Sequence, residues 1–156
     1  TTLFRSPGEG TTFALYLPRV DGEPQEEPSG AKSELSEGQA ERIVLAEDAA
    51  ELRIALHDFL ETLEYCVEPA PNGEQALKLL KEEAPNLLIT DIVMPDMGGK
   101  ALLRRARALY PDLPAIAITG YILETDLQGL LDEGFDAVLS KPFDIEDLID
   151  VVRRVL

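Results

Sequence analysis

Short apolar runs alternating with helical patterns predict an α/β fold, a (βα)5 doubly wound parallel sheet. Three observations carry that expectation. The apolar runs lack the in-out alternation of a half-exposed strand, which suits parallel strands covered on both faces. The segments between them place apolar residues at helical spacing. Both kinds of segment repeat in strict order from residue 41 to residue 156.

The runs are Ile43–Ala46, Leu87–Thr90, Ala115–Thr119 and Ala137–Ser140, with Tyr65–Pro69 a weaker fifth. Glu68 and Pro69 are tolerable at a sheet edge and poorly placed in its centre. The first helix shows Leu52, Leu56, Phe59, Leu60 and Leu63 on one face, and the last shows Ile145, Leu148, Ile149, Val152 and Leu156. Gly73–Glu83, Gly99–Leu109 and Leu123–Glu133 fill the remaining gaps as helices. Right-handed crossovers leave few topologies, and the flavodoxin-like strand order 2-1-3-4-5 puts Tyr65–Pro69 at the edge its composition asks for.

Two zones precede this region. Residues 1–20 contain one alternating run, Thr11 to Leu17, ending at Pro18, with Phe13, Leu15 and Leu17 on one strand face. A single strand with no sheet to join is not independently stable. Residues 21–40 carry six acidic residues against Lys32 alone and are rich in Pro, Gly and Ser, the composition of a flexible acidic linker.

The 156 residues include 14 basic and 30 acidic side chains, a formal charge of −16. That balance argues against nucleic acid and against anionic membrane surfaces, and it is compatible with carboxylates gathered around a cation. The single cysteine, Cys66, excludes an internal disulfide and a cysteine-cluster metal site. Its short apolar stretch predicts a buried thiol. No run approaches the roughly eighteen apolar residues of a membrane span, and no secretory signal is visible, so a soluble, cytoplasmic location is expected.

In open α/β sheets, ligands bind outside the carboxyl ends of the strands. Here those ends carry Glu47 and Asp48, Asp91, Thr119 and Lys141. Each has a dull explanation alone: loop acids are usually solvated, and Thr119 could simply cap a helix. Together they form a rim of three carboxylates, a hydroxyl and an ammonium. Two like charges about 4 Å apart cost roughly 4 kcal/mol at an effective dielectric near 20. A hard divalent cation relieves this, and Mg²⁺ commonly binds one or two carboxylates together with phosphate oxygens. Such a rim suits an incoming phosphoryl group, bridged by Mg²⁺, paired with Lys141 and attacked by one carboxylate.

At these residues the chain resembles response-regulator receiver domains. Ile43-Val44-Leu45-Ala46-Glu47-Asp48 resembles their acidic-pair strand, and Leu88-Ile89-Thr90-Asp91-Ile92-Val93-Met94-Pro95-Asp96-Met97-Gly98-Gly99 their phosphoacceptor segment. Ala115-Ile116-Ala117-Ile118-Thr119-Gly120 is similar to the switch segment, and Gly134 through Phe143, with Lys141-Pro142, to the lysine segment. The resemblance covers essentially residues 42–156. It implies that Asp91 is phosphorylated by a histidine kinase domain, in cis or in trans. It also implies that Asp48, Asp91 and the backbone carbonyl of Val93 bind Mg²⁺, with Glu47 acting through water. Thr119 is then the switch hydroxyl, Lys141 the ion-pairing lysine, and Lys141–Pro142 a cis bond. A histidine phosphotransfer domain is the implied next partner, with the fourth and fifth helices as the contact surface.

Two departures from the family pattern involve three positions. Val138 stands where an aromatic often reports the switch, leaving the route of signal readout open. Val93 and Tyr121 lack the polar groups that would hold an attacking water, which predicts slow self-dephosphorylation. A phosphatase with an aspartyl nucleophile would need a second carboxylate where Val93 stands, and a pseudo-receiver would lack the acidic pair, the acceptor or the lysine. A transcription factor is disfavoured, since no output domain follows the last helix. His57 lacks the Pro-bearing surroundings of a kinase phospho-histidine and receives no role.

Pro7 to Pro18 resembles the end of a histidine-kinase ATP-binding domain, where a Gly-rich turn precedes the last strand. The implied parent is a hybrid sensor histidine kinase, of which residues 1–20 are a remnant that should not bind ATP. Thr1 to Ser6 resembles a translated sequencing adapter and is excluded from the fold argument, so the natural amino terminus is expected to be missing.

Overall fold

Burial of apolar runs on both faces of one sheet organises this protein. The computed structural model describes residues 4–5, 11–12, 41–120 and 124–156. The strands are β1 (Arg42–Ala46), β2 (Cys66–Ala70), β3 (Leu87–Asp91), β4 (Ala115–Thr119) and β5 (Ala137–Ser140). The helices are α1 (Ala50–Thr62), α2 (Gly73–Glu82), α3 (Gly99–Leu109), α4 (Glu124–Asp132) and α5 (Ile145–Val155). All neighbouring strands of this five-stranded sheet are parallel, in the spatial order β2-β1-β3-β4-β5, which is the expected 2-1-3-4-5.

Every residue of β1, β3 and β4 is buried, because helices cover the central strands from both sides. One layer packs Leu56 and Leu60 of α1 and Leu148 and Val152 of α5 against Ile43, Ile89 and Ile116. The opposite layer packs Ala76 and Leu80 of α2 and Leu102, Leu103 and Ala106 of α3 against Val44, Leu88 and Ala115. Burying each large aliphatic side chain contributes about 1.5–3 kcal/mol, which makes this two-sided core the main source of stability.

Local chemistry ends the elements. The Asn72 side chain accepts from the Gln75 N–H (2.9 Å) at the start of α2, and Asp144 with Asp147 forms a capping box on α5. Gly134 sits at φ 104°, a conformation glycine adopts without a Cβ penalty, in the turn between α4 and β5. Buried Arg42 holds the sheet edge. Its guanidinium pairs with Glu68 of β2 and donates to the carbonyls of Leu79 (3.1 Å) and Glu83 (2.5 Å) at the end of α2.

Three expectations are corrected. Cys66 is exposed, because the edge strand β2 has one neighbour and alternate residues are left uncovered. Ile145, the first residue of α5, and Leu156, the cap that follows its last, are exposed at 52% and 44%. In the amino-terminal unit, Thr1–Glu34, Phe4–Arg5 pairs antiparallel with Thr11–Thr12. The excluded segment thus supplies the partner that the alternating run was expected to lack. The rest of that run, the linker at 21–40 and Tyr121 lie outside the described residues.

Candidate functional site

Parallel strands end on one edge of the sheet, so the residues that close β1, β3, β4 and β5 meet there. Glu47 follows β1, and its N–H is held by the carbonyl of Ala70 (3.1 Å). Asp91 closes β3, Thr119 closes β4, and Lys141 follows β5 with its N–H on the Thr119 carbonyl (2.7 Å). Carboxylate oxygens of Glu47, Asp48 and Asp91 lie within 4.8 Å of one another. The Lys141 ammonium donates to Asp91 Oδ2 (2.5 Å) and Glu47 Oε2 (2.8 Å). Five residues separated by up to 94 positions in sequence therefore share one rim.

Their exposures differ in a useful way. Glu47 is fully buried, Asp91 and Thr119 are 6% and 5% exposed, and Asp48 stands in solvent. The rim is thus anchored in the protein and open on the Asp48 side. The loop after β3 is shaped around Asp91. The Val93 N–H donates to Asp91 Oδ1 (2.8 Å), while Val93 itself is 77% exposed. Gly99 lets α3 come close: a Cβ there would lie 2.4 Å from the Asp91 carbonyl oxygen. Lys141–Pro142 is cis, as expected.

Burial, together with the nearby Asp91 charge, raises the Glu47 pKa above 4.5 despite the lowering by the Lys141 hydrogen bond and charge. For Lys141, burial pulls the pKa down, but the bonds to Asp91 and Glu47 outweigh it and the net shift is upward from 10.5. This has a consequence for stability. Folded Glu47 keeps its proton to a higher pH than in the unfolded chain, so folding takes up a proton over the window that begins at 4.5. Without divalent cations, the stability of the wild type relative to Glu47→Gln is expected to decline as pH rises through that window. Urea unfolding of both proteins at a series of pH values checks this, and a flat or rising difference contradicts it.

The structure brings together all the rim residues expected from the sequence. Sequence reasoning missed Arg53, whose guanidinium donates to the carbonyls of Glu47 (2.6 Å) and Asp48 (3.1 Å). Its position early in α1, just after the acidic pair, was the available signal, but it lies off the apolar face by which that helix is recognised. The direct pairing of Glu47 with Lys141 was also missed, because expectation tied Glu47 to water and Lys141 to a phosphoryl group. His57 pairs with its neighbour Asp58 (2.9 Å) on the outside of α1.

A family model described as the response regulator receiver domain matches residues 43–153. The chain belongs to the response regulator receiver family. It is 44% identical over 116 residues to the response regulator receiver protein CpdR of Brucella abortus, covering 74% of this chain and 96% of that one. It is 30% identical to the sensor kinase CckA of Brucella abortus across 96% of this chain, which spans 17% of that kinase. Among solved structures, the chemotaxis protein CheY4 of Vibrio cholerae matches with a TM-score of 0.70 and 26% identity, over 74% of this chain and 98% of that one. The signal receiver domain of a signal transduction histidine kinase from Syntrophus aciditrophicus matches with a TM-score of 0.68 and 31% identity, over 75% and 90%. Receiver domains of two-component systems take a phosphoryl group from a histidine kinase, and that is the functional class of this chain. No described helix is long and apolar enough to cross a membrane.

Proposed function

We propose that this receiver is phosphorylated on Asp91 in a Mg²⁺-dependent reaction, with Lys141 and Thr119 coupling the modification to a conformational change. The observation that carries the reading is Asp91 itself. Its carboxylate is nearly buried, lies beside Glu47 and Asp48, and sits 2.5 Å from an ammonium group. All three acids offer hard oxygen donors, and opposite ligands on Mg²⁺ are about 4.2 Å apart, comparable with the 4.8 Å span of the cluster. Asp48, Asp91 and the Val93 carbonyl would hold the ion directly and Glu47 through water. Bound Mg²⁺ supplies neutralisation of phosphoryl charge.

A carboxylate oxygen of Asp91 attacks the phosphorus of a phosphohistidine, the P–N bond breaks, and the imidazole leaves with its electron pair. The Val93 N–H orients the carboxylate before attack. Lys141 is placed to follow the charge from the Asp91 oxygen onto the phosphoryl group. Thr119 ends the neighbouring strand, and its hydroxyl would bond a phosphoryl oxygen. Acetyl phosphate with Mg²⁺ tests the reading, and peptide mapping should find one phosphoryl group on Asp91.

Val93 is apolar and exposed, so it offers an attacking water no base. The aspartyl phosphate is therefore expected to hydrolyse slowly. A half-life of seconds on the purified protein would contradict that. The same residue weakens the phosphatase alternative, which needs a carboxylate there.

The alignment with a sensor kinase runs through the residues before 41 as well as the receiver. That supports a hybrid sensor histidine kinase as the parent, with residues 1–20 from the kinase end, 21–40 the linker and 41–156 the receiver. The donor would be that kinase, in cis or in trans, acting in the cytoplasm, and a histidine phosphotransfer domain would be the next acceptor.

A further inference from the structure

The acidic pair must be held in place, and its own side chains do not explain how. Asp48 is exposed, and among the described residues none donates a hydrogen bond to its carboxylate. Ala49, the N-cap of α1, has no side chain able to cap the helix. Among the described residues, Glu47 Oε1 accepts one 3.2 Å contact, from the Ala49 N–H, while Oε2 is committed to Lys141. What the loop does have is Arg53. One guanidinium nitrogen bonds the carbonyls of both acidic residues, at 2.6 and 3.1 Å. The main chain of Glu47 and Asp48 is thereby tied to the first turn of α1.

We propose that Arg53 is a positioning residue for the Mg²⁺ site, fixing the main chain of Glu47 and Asp48 so that the exposed Asp48 carboxylate stays beside Asp91. The inference rests on the Mg²⁺ reading above. Two effects of Arg53 oppose each other. Its positive charge disfavours a cation nearby, but the guanidinium is partly solvated and its field is screened. Its hydrogen bonds restrict the main chain that carries the ligands. Partners bonded to metal-ligating side chains themselves are typically worth about 10–100-fold in metal affinity, and a main-chain tether belongs at the lower end. The tether therefore outweighs the charge.

The test is Mg²⁺ affinity by calorimetry on unphosphorylated protein, with thermal unfolding in the absence of Mg²⁺ as control. Arg53→Met keeps the apolar stem and removes the donors. It is expected to bind Mg²⁺ roughly tenfold more weakly. Arg53→Lys retains a donor that can reach a carbonyl and should recover most of the affinity, a rescue that a merely structural role would not produce. Unchanged or tighter Mg²⁺ binding in Arg53→Met overturns the proposal, as does equal loss of affinity and thermal stability in both variants. If the wild type binds no Mg²⁺, the underlying reading falls and this inference falls with it; wild-type binding with an indifferent Arg53→Met removes the inference alone.

Discussion

Asp91→Asn is expected to abolish the Mg²⁺-dependent mass gain from acetyl phosphate entirely. The substitution is nearly isosteric. The amide oxygen can still accept the Val93 N–H, now 2.8 Å from Asp91 Oδ1, so the loop after β3 keeps its shape. What disappears is the anionic nucleophile, for which a neutral amide is no substitute. Glu47 and Asp48 remain, but they are placed differently. Glu47 is fully buried and engaged by Lys141, and Asp48 stands in solvent without the lysine's help. Neither combines partial access with a neighbouring ammonium as Asp91 does. The loss should therefore be all or nothing, read by intact mass, with folding confirmed by a single cooperative unfolding transition. A variant that still gains the phosphoryl mass would move the acceptor to another carboxylate. Stability is a separate readout, because the substitution relieves like-charge contacts worth about 1–4 kcal/mol but also removes one partner of the Lys141 ammonium.

The fold was legible because it rests on two periodicities that read directly as burial. Ile43 to Ala46, Leu87 to Thr90 and Ala115 to Thr119 have no polar face, and the only arrangement that hides such strands is a sheet covered on both sides. Glu68 and Pro69 placed β2 at the edge for an equally local reason. Site residues were legible because strand ends in a parallel sheet converge, so Asp48, Asp91, Thr119 and Lys141 could be gathered without coordinates. What failed were questions settled by the third dimension. Exposure of Cys66 depends on which side of an edge strand is left uncovered, and exposure of Ile145 on its place in the first turn of α5. Arg53 was invisible because it bonds main-chain carbonyls, which carry no residue identity in a sequence. The Glu47–Lys141 pair spans 94 positions and competes with the partners each was assigned. The pairing of Phe4–Arg5 with Thr11–Thr12 was not expected for a different reason, since residues 1–6 resemble a translated adapter and stood outside the fold argument.

The second large effect concerns Lys141, whose role before phosphorylation is to make the rim tolerable. Its ammonium lies 2.5 Å from Asp91 and 2.8 Å from Glu47, and the Glu47 side chain is fully buried. Replacing it by Met preserves the stem and removes the charge, leaving two close carboxylates with no counter-ion. Breaking a buried pair costs about 3–5 kcal/mol, and the lower end applies here because the lysine side chain is 24% exposed. Lys141→Met is thus expected to lose roughly 3 kcal/mol of stability at neutral pH without divalent cations. Part of the loss should return on acidification. Without the lysine's lowering influence Glu47 holds a proton to still higher pH, and folding gains stability as that proton is taken up. Mg²⁺ should also stabilise the variant more than the wild type, because it binds a rim with one fewer positive charge; a hundredfold excess over Kd contributes about 2.7 kcal/mol. Urea unfolding with and without Mg²⁺ reads all of this. Equal stability of variant and wild type in the absence of Mg²⁺, or an identical response to it, would show that the carboxylates do not depend on the lysine. Phosphorylation separates the two duties of the residue: a variant that is stable with Mg²⁺ yet accepts phosphate slowly has lost the charge that follows the phosphoryl group, not the fold that presents Asp91.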